Sequence, residues 1–426
     1  MMRLALALVA LLLLACAGTA GAGPSAVEVA APEGDEDQAV AFLEARVAAD
    51  PDDVVAWNRL GNIYLAKLRA TGNHDFLDEA TRCAEASLLA VPDTGNLAGL
   101  VLKIRSRFGA HYFDEAERLS RRLIALDPNG YLGWQLLGDA LMELGRYEEV
   151  APAFEKAVAL GGVTAASETR LARLAILYGD RATARRRLES AKTLSASSGD
   201  RATESWCEWQ LGELAFGSGD WKRAGRHFDA ALAINPRSIP ALGGRARLEA
   251  ARGELSRAMA TYEEAIALDA FPPFVAALSD LLAATGNRSR ADELLALIDE
   301  NAATPREQRL DRRHLARIYA DRDIQTGKAL ELAAADYAER KDIHASDTLA
   351  WAALKAGRLE EAQRAMEEAL RLGTEDAALF YHAGMIALER GDKPAARKWL
   401  NRALNLNPGF DYVQARRAED ALKKAK

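Results

Sequence analysis

Cysteine, histidine and aromatic residues are all scarce in this chain of 426 residues, and each shortage excludes a class of function. There are three cysteines: Cys16 sits in an apolar N-terminal run, leaving only Cys83 and Cys207 for the rest of the chain. Two cysteines cannot make a disulfide framework, and they read as small apolar packing residues. The six histidines, His74, His111, His227, His314, His344 and His382, include no His-x3-His or His-Glu-x2-His pair, so zinc spacing is absent. Cys-x2-Cys, a glycine-rich phosphate loop and Gly-x-Ser-x-Gly are missing too. No cofactor or metal is expected, and the chain does not read as an enzyme. No stretch alternates apolar and polar residues for long, which speaks against strands. Positive charge is also in short supply as a block. Residues 24–55 carry nine acids against Arg46 alone, and residues 56–426 sum to zero. A neutral body offers no general surface for nucleic acid or anionic lipid. The four arginines Arg181, Arg185, Arg186 and Arg187 are a local exception and read as a solvated helix face.

What the chain does have is a repeat. Tyr131–Gly162 reads YLGWQLLGDALMELGRYEEVAPAFEKAVALGG, with landmarks Trp134, Leu137, Gly138, Gly145, Tyr147, Phe154 and Ala157. With Trp134 as position 4 of a 34-residue period, position 20 falls on Ala80, Ala116, Ala224, Ala258, Ala362 and Ala396. Position 8 falls on Gly61, Gly138, Gly212 and Gly384. Position 32 falls on Pro51, Pro92, Pro128, Pro236 and Pro408. Small residues at positions 8 and 20 let two helices approach, and proline at 32 ends the second helix. Gly145, Gly179, Gly219, Gly253, Gly357 and Gly391 stand where the first helix must stop. The period slips near Lys67–Asp75, where two extra turns fit, and at the serine-rich stretch from Ser195.

This pattern resembles the tetratricopeptide repeat, a helix–turn–helix unit. The resemblance implies an all-α solenoid, a right-handed superhelix of about ten units over 54–410. A capping helix over 37–53 precedes the array and another over 411–426 follows it. Units near 165–204, 273–308 and 309–342 match weakly. Such arrays present a concave groove that binds proteins or peptides. In this family the groove is lined from positions 2, 5, 9, 12 and 13 of the first helix. Here those positions are Trp206, Trp209, Glu213 and Phe216 in the fifth unit. In the ninth and tenth they include His344, Asp347, Trp351, Lys355, Tyr381 and Met385. Aromatic clustering on an exposed concave face fits a binding hot spot. Trp57 and Trp134, at position 4, read as packing residues. Asn58 and Asn62 occupy groove positions in the first unit, but the lysines that grip a partner's C-terminal carboxylate in some family members are missing.

The N-terminus suggests a location. Residues 1–23 have one early positive charge and an apolar run from Leu4 to Ala15, too short to span a bilayer and suited to a secretory signal. Leu13-Leu14-Ala15-Cys16 resembles a bacterial lipobox, in which the cysteine is lipidated. Cleavage after Ala20 or Ala22 is the other outcome, and the lipoprotein is the preferred one. An acidic tether over 24–36 follows. The expectation is an exported protein of a bacterial envelope, touching membrane only through that anchor. Its role is then a non-catalytic scaffold for a protein or peptide. A module for an envelope polysaccharide, with tryptophans stacked on sugars, is the alternative; sugar sites pair aromatics with several polar groups, and here the fifth unit offers mainly Glu213.

Overall fold

Gly-Asp steps punctuate the helices. Gly179, Gly219 and Gly391 take left-handed φ values of +73°, +74° and +79°, which glycine adopts without the penalty a Cβ would incur. The aspartate that follows each one caps the next helix. Asp180 accepts from Thr183 N at 2.9 Å, Asp220 from Arg223 N at 3.0 Å, and Asp392 from Ala395 N at 3.0 Å. One dipeptide thus ends one helix and starts the next.

The computed structural model describes residues 36–425 except position 303, and among these there are 22 α-helices and no strands. α1 (Glu36–Ala49) stands alone, and α2 to α21 form ten consecutive pairs. The early pairs are α2 (Val54–Thr71) with α3 (Asp75–Ala90), α4 (Leu97–Gly109) with α5 (Phe113–Leu126), and α6 (Tyr131–Glu143) with α7 (Tyr147–Gly161). Next come α8 (Ala165–Leu177) with α9 (Arg181–Ser198), α10 (Arg201–Gly217) with α11 (Trp221–Ile234), and α12 (Ile239–Ala251) with α13 (Leu255–Leu268). Then follow α14 (Pro272–Ala284) with α15 (Arg288–Asn301), and α16 (Pro305–Asp321) with α17 (Thr326–Glu339). The last pairs are α18 (Ile343–Lys355) with α19 (Leu359–Ala369), and α20 (Ala377–Glu389) with α21 (Lys393–Leu406), before a final α22 (Gln414–Lys424). The slips in period are lengthened helices: α2 has 18 residues and α10 has 17, where most first helices have 13, and α9 has 18, where most second helices have 14.

The small-residue positions are where the helices meet. Ala80, Ala116, Ala224, Ala258, Ala362 and Ala396 are all fully buried, at 0% exposure. A Cβ on Gly138 would run into the Phe154 ring, one on Gly212 into the Phe228 ring, and one on Gly384 into Leu400. At these three positions glycine is needed because the large side chain at position 24 occupies the space.

Two compact units share the helices. The first runs to Met142 and includes Tyr147–Ser167; the second comprises Glu143–Arg146 and Glu168–Lys426. In the first, Leu43, Trp57, Leu60, Leu65, Leu77 and Leu102 form a core between α1 and α4. The second has a continuous core from Ala246 to Ala421.

The second unit also curls until its late repeats meet its early ones. Three turns that end first helices, at Gly145, Gly179 and Gly219, sit against the backbone at Lys341, Gly373 and Leu406. Polar contacts follow this seam. Arg340 reaches Glu143 at 3.3 Å, both groups buried, and Arg371 donates to Gly145 O at 3.0 Å. Thr374 Oγ1 donates to Leu177 O. Arg181 donates to Glu375 O at 2.8 Å, and Asn407 Nδ2 donates to Phe216 O at 2.8 Å. Trp221 Nε1 donates to Asn407 Oδ1 at 3.0 Å. An array in which each repeat touches only its neighbours has no such contacts.

Candidate functional site

The residues singled out at groove positions divide into three groups in the second unit. One group lines a cavity of about 380 Å³: Trp209, Glu213 and Phe216 on α10. The helix places them on one side because 209, 213 and 216 recur at spacings of four and three. Phe216 is buried and its ring lies 4.7 Å from the Arg247 guanidinium of α12, which also pairs with Glu213. Trp209 is half-buried between two small clusters, one around Phe228 and the other around Leu242. Its neighbour Trp206 packs edge-on against it, with centroids 6.2 Å apart, and leans on Leu188 and Leu211.

A second group stays accessible. His344 is exposed in the first turn of α18, where its N–H is capped by Asp342 at 2.8 Å. Lys355, half-buried, pairs with Asp323 at 2.6 Å and lies 4.6 Å over the Trp351 ring. Met385 is half-buried against the main core.

The third group, expected on an open concave face, is core instead. Trp351 is 0% exposed and Tyr381 1%. Trp351 stacks on His382 with centroids 4.2 Å apart and donates Nε1 to Asp321 at 2.7 Å. Tyr381 lies between the Trp351 ring at 5.5 Å and the Phe410 ring at 5.8 Å. Asp347 is buried as well, 2.7 Å from His382 Nδ1 and 2.8 Å from Arg317 Nη1. Burial raises the Asp347 carboxyl, but the His382 and Arg317 partners outweigh it and hold it down at about 2. The C-terminal helix adds polar contacts beside this cluster. Gln414 Nε2 and Arg417 Nη1 of α22 donate to Asp321, the last residue of α16, at 2.7 Å each. Groove numbering assumes a gently curved array; here the curvature is tight enough for inner-face side chains to pack on one another.

The rest of the cavity comes from parts of the chain that sequence spacing does not link to α10. Arg181, Asp376, Asn407 and Phe410 join Ile176 and Arg247 around it. Arg181, read in sequence as part of a solvated face, is held by Glu375 and by Gly217 O at 3.1 Å. Of the other three, Arg187 pairs with Glu168, while Arg185 and Arg186 are exposed. Both internal cysteines, Cys83 and Cys207, are buried free thiols; burial pushes Cys83 up to about 12, so it stays protonated.

Among the described residues no group of three His, Cys, Asp or Glu side chains is placed to hold a metal ion. No described helix is long and apolar enough to cross a membrane. Cys16, with the rest of 1–35, lies outside the described residues.

Two models described as tetratricopeptide repeat match the chain, one at residues 101–163 and 348–409, the other at 215–278. No curated protein matches it. Among solved structures it is similar to the crystal structure of the APC/C hetero-tetramer Cut9–Hcn1, at 14% identity and a TM-score of 0.38, covering 92% of this chain and 90% of that one. It is also similar to the human IFIT1 dimer with PPP-AAAA, at 13% identity and a TM-score of 0.43, covering 87% and 95%. A tetratricopeptide repeat protein from Parabacteroides merdae aligns at 18% identity and a TM-score of 0.33, covering 61% of this chain and 98% of that one.

Proposed function

We propose that the chain, three stretches of which match tetratricopeptide-repeat models, is a non-catalytic scaffold in a bacterial envelope, exported and tied to a membrane through a lipid on Cys16. It holds a protein or peptide partner along the inner face of its second unit. The observation that carries this reading is the persistence of reachable groove side chains, His344, Lys355 and Met385, on α18 and α20, whose neighbours on the same helices are sealed into core. A rigid helical face with a few accessible side chains offers a partner shape without demanding that the site reorganise.

A photo-crosslinking amino acid placed at His344 or Met385 should join the protein to one defined partner in intact cells. The same residue placed at the exposed Arg185 should not. Equal cross-linking from Arg185, or none from either inner position, overturns the assignment of the face. The anchor is tested separately. Metabolic labelling with a fatty acid should mark the wild type, and Cys16→Ser should lose both label and membrane association. Label retained by that variant refutes the lipoprotein reading and leaves the scaffold reading to the cross-linking result.

A further inference from the structure

The cavity beside α10 has a chemical character that the protein-scaffold role does not call for. Its charges are already matched. Glu213 pairs with Arg247, and Glu375 pairs with Arg181 at 3.2 Å. Asp376 caps α20, accepting from Ala378 N at 2.7 Å and Leu379 N at 3.2 Å. An ion entering here would give up its hydration without meeting an unpaired opposite charge.

Hydrogen-bonding capacity, by contrast, is left over. Arg181 Nη1, Arg247 Nε and Trp209 Nε1 are buried donors with no acceptor. All three are sealed from solvent, so the lining residues offer a ligand their other polar atoms. Gln210 adds an amide to the same lining, and the carboxylates of Glu213 and Asp376 add acceptor oxygens. The group that meets N–H donors and carboxylate acceptors equally well is a hydroxyl, which both donates and accepts. Trp209, Phe216 and Phe410 supply apolar walls between these polar points. A volume of about 380 Å³ is that of a small-molecule site. The seam bonds from Arg181 to Glu375 and from Asn407 to Phe216 join residues of its lining.

We propose that this cavity is a binding site for a small, neutral, polyhydroxylated ligand: one or two sugar units, lying against the aromatic walls with hydroxyls directed to Glu213, Gln210 and Asp376. The site is independent of the protein partner, whose contacts lie at other side chains.

The test is titration calorimetry with saturation-transfer NMR on the full-length protein. The probes are glucose, galactose, mannose, N-acetylglucosamine, maltose, cellobiose and N,N′-diacetylchitobiose, with the neutral tripeptide Ala-Phe-Ala as the competing ligand class. At least one sugar should bind with Kd of about 10⁻³ M or tighter. Glu213→Gln should weaken it roughly tenfold or more, since a hydrogen bond to a charged acceptor is replaced by a neutral one. Gln210→Ala should weaken it several-fold, and Arg185→Ala, exposed and outside the cavity, should leave it unchanged. If Glu213→Gln lowers thermal stability by breaking the Arg247 pair, Gln210→Ala, which disturbs no ion pair, decides. No binding by any sugar overturns the proposal. So does sugar binding indifferent to Gln210→Ala, or tripeptide binding with the sugars silent.

Discussion

Six glycines offer an internal experiment on the seam. Gly145, Gly179 and Gly219 have φ of +72°, +73° and +74°; Gly253, Gly357 and Gly391 have +80°, +74° and +79°. Replacing any of them by alanine forces a Cβ into left-handed backbone, at about 1–2 kcal/mol. Beyond that shared term the two sets differ. A Cβ on Gly253, Gly357 or Gly391 would meet nothing within 4 Å. On Gly179 it would lie 2.8 Å from Gly373 O, on Gly219 it would lie 2.9 Å from Leu406 O, and on Gly145 it would overlap Lys341 O. These are backbone oxygens, which cannot rotate away as a side chain would. Relieving the overlap means parting the seam, and the bonds from Arg181 to Glu375 and from Asn407 to Phe216 stretch with it. Overpacking of this kind adds about 1–3 kcal/mol, giving a total of roughly 2–5 kcal/mol for the seam set. Urea unfolding followed by circular dichroism should show midpoints ordered accordingly, at unchanged slope. Hydrogen exchange should rise at Asn407 and Thr374 in the seam variants alone. Losses as large in Gly253→Ala, Gly357→Ala and Gly391→Ala would show that the φ penalty explains everything and that the seam contributes nothing.

Ala362→Leu and Ala396→Leu should each cost about 1–3 kcal/mol, because both positions are fully buried at helix crossings; wild-type melting in both would refute the packing role of position 20. Asp347→Ala should cost about 3–5 kcal/mol by leaving Arg317 and His382 without their buried partner; an unchanged urea midpoint would contradict that network. His314 supplies a pH prediction: burial first, and then Arg313, push its ring down to about 3. Between pH 6.5 and 3 the unfolded chain takes up a proton that the folded one refuses, so this contribution to stability is full above the window and falls as pH drops through it. His314→Gln should therefore lose less stability than wild type between pH 7 and 4.5; equal losses would refute the assignment.

The local parts of the fold are legible because they repeat. The positions carrying Ala80, Ala116 and Ala224, and the glycines ahead of Tyr147 and Trp221, each solve one recurring steric problem, so one register predicts them all. Weakly matching stretches still form pairs because capping survives where the core signature fades. Asn287 caps α15, and Thr304 with Glu307 forms a capping box on α16. The site is legible only by halves. Trp209, Glu213 and Phe216 share a helix face that periodicity reveals. Their companions Arg181, Asp376 and Phe410 arrive through curvature, which no 34-residue period encodes. The burial of Trp351 and Tyr381 has the same origin: whether a groove position is open depends on how sharply successive pairs rotate. That angle is the sum of many small packing choices.

The seam also bears on how the second unit comes apart. Its bonds join residues 186 to 226 positions apart, whereas contacts between successive repeats close short loops. For a flexible chain, closing a loop of that length costs roughly 4–5 kcal/mol of entropy, so the seam forms only after the intervening repeats have folded and stiffened the path. Contacts made that late are absent from the folding transition state, and they act on the unfolding rate while leaving the folding rate almost untouched. The second unit should then fold at the pace of its local helix pairs, yet release slowly, its clasp setting a lifetime that its equilibrium stability alone does not predict.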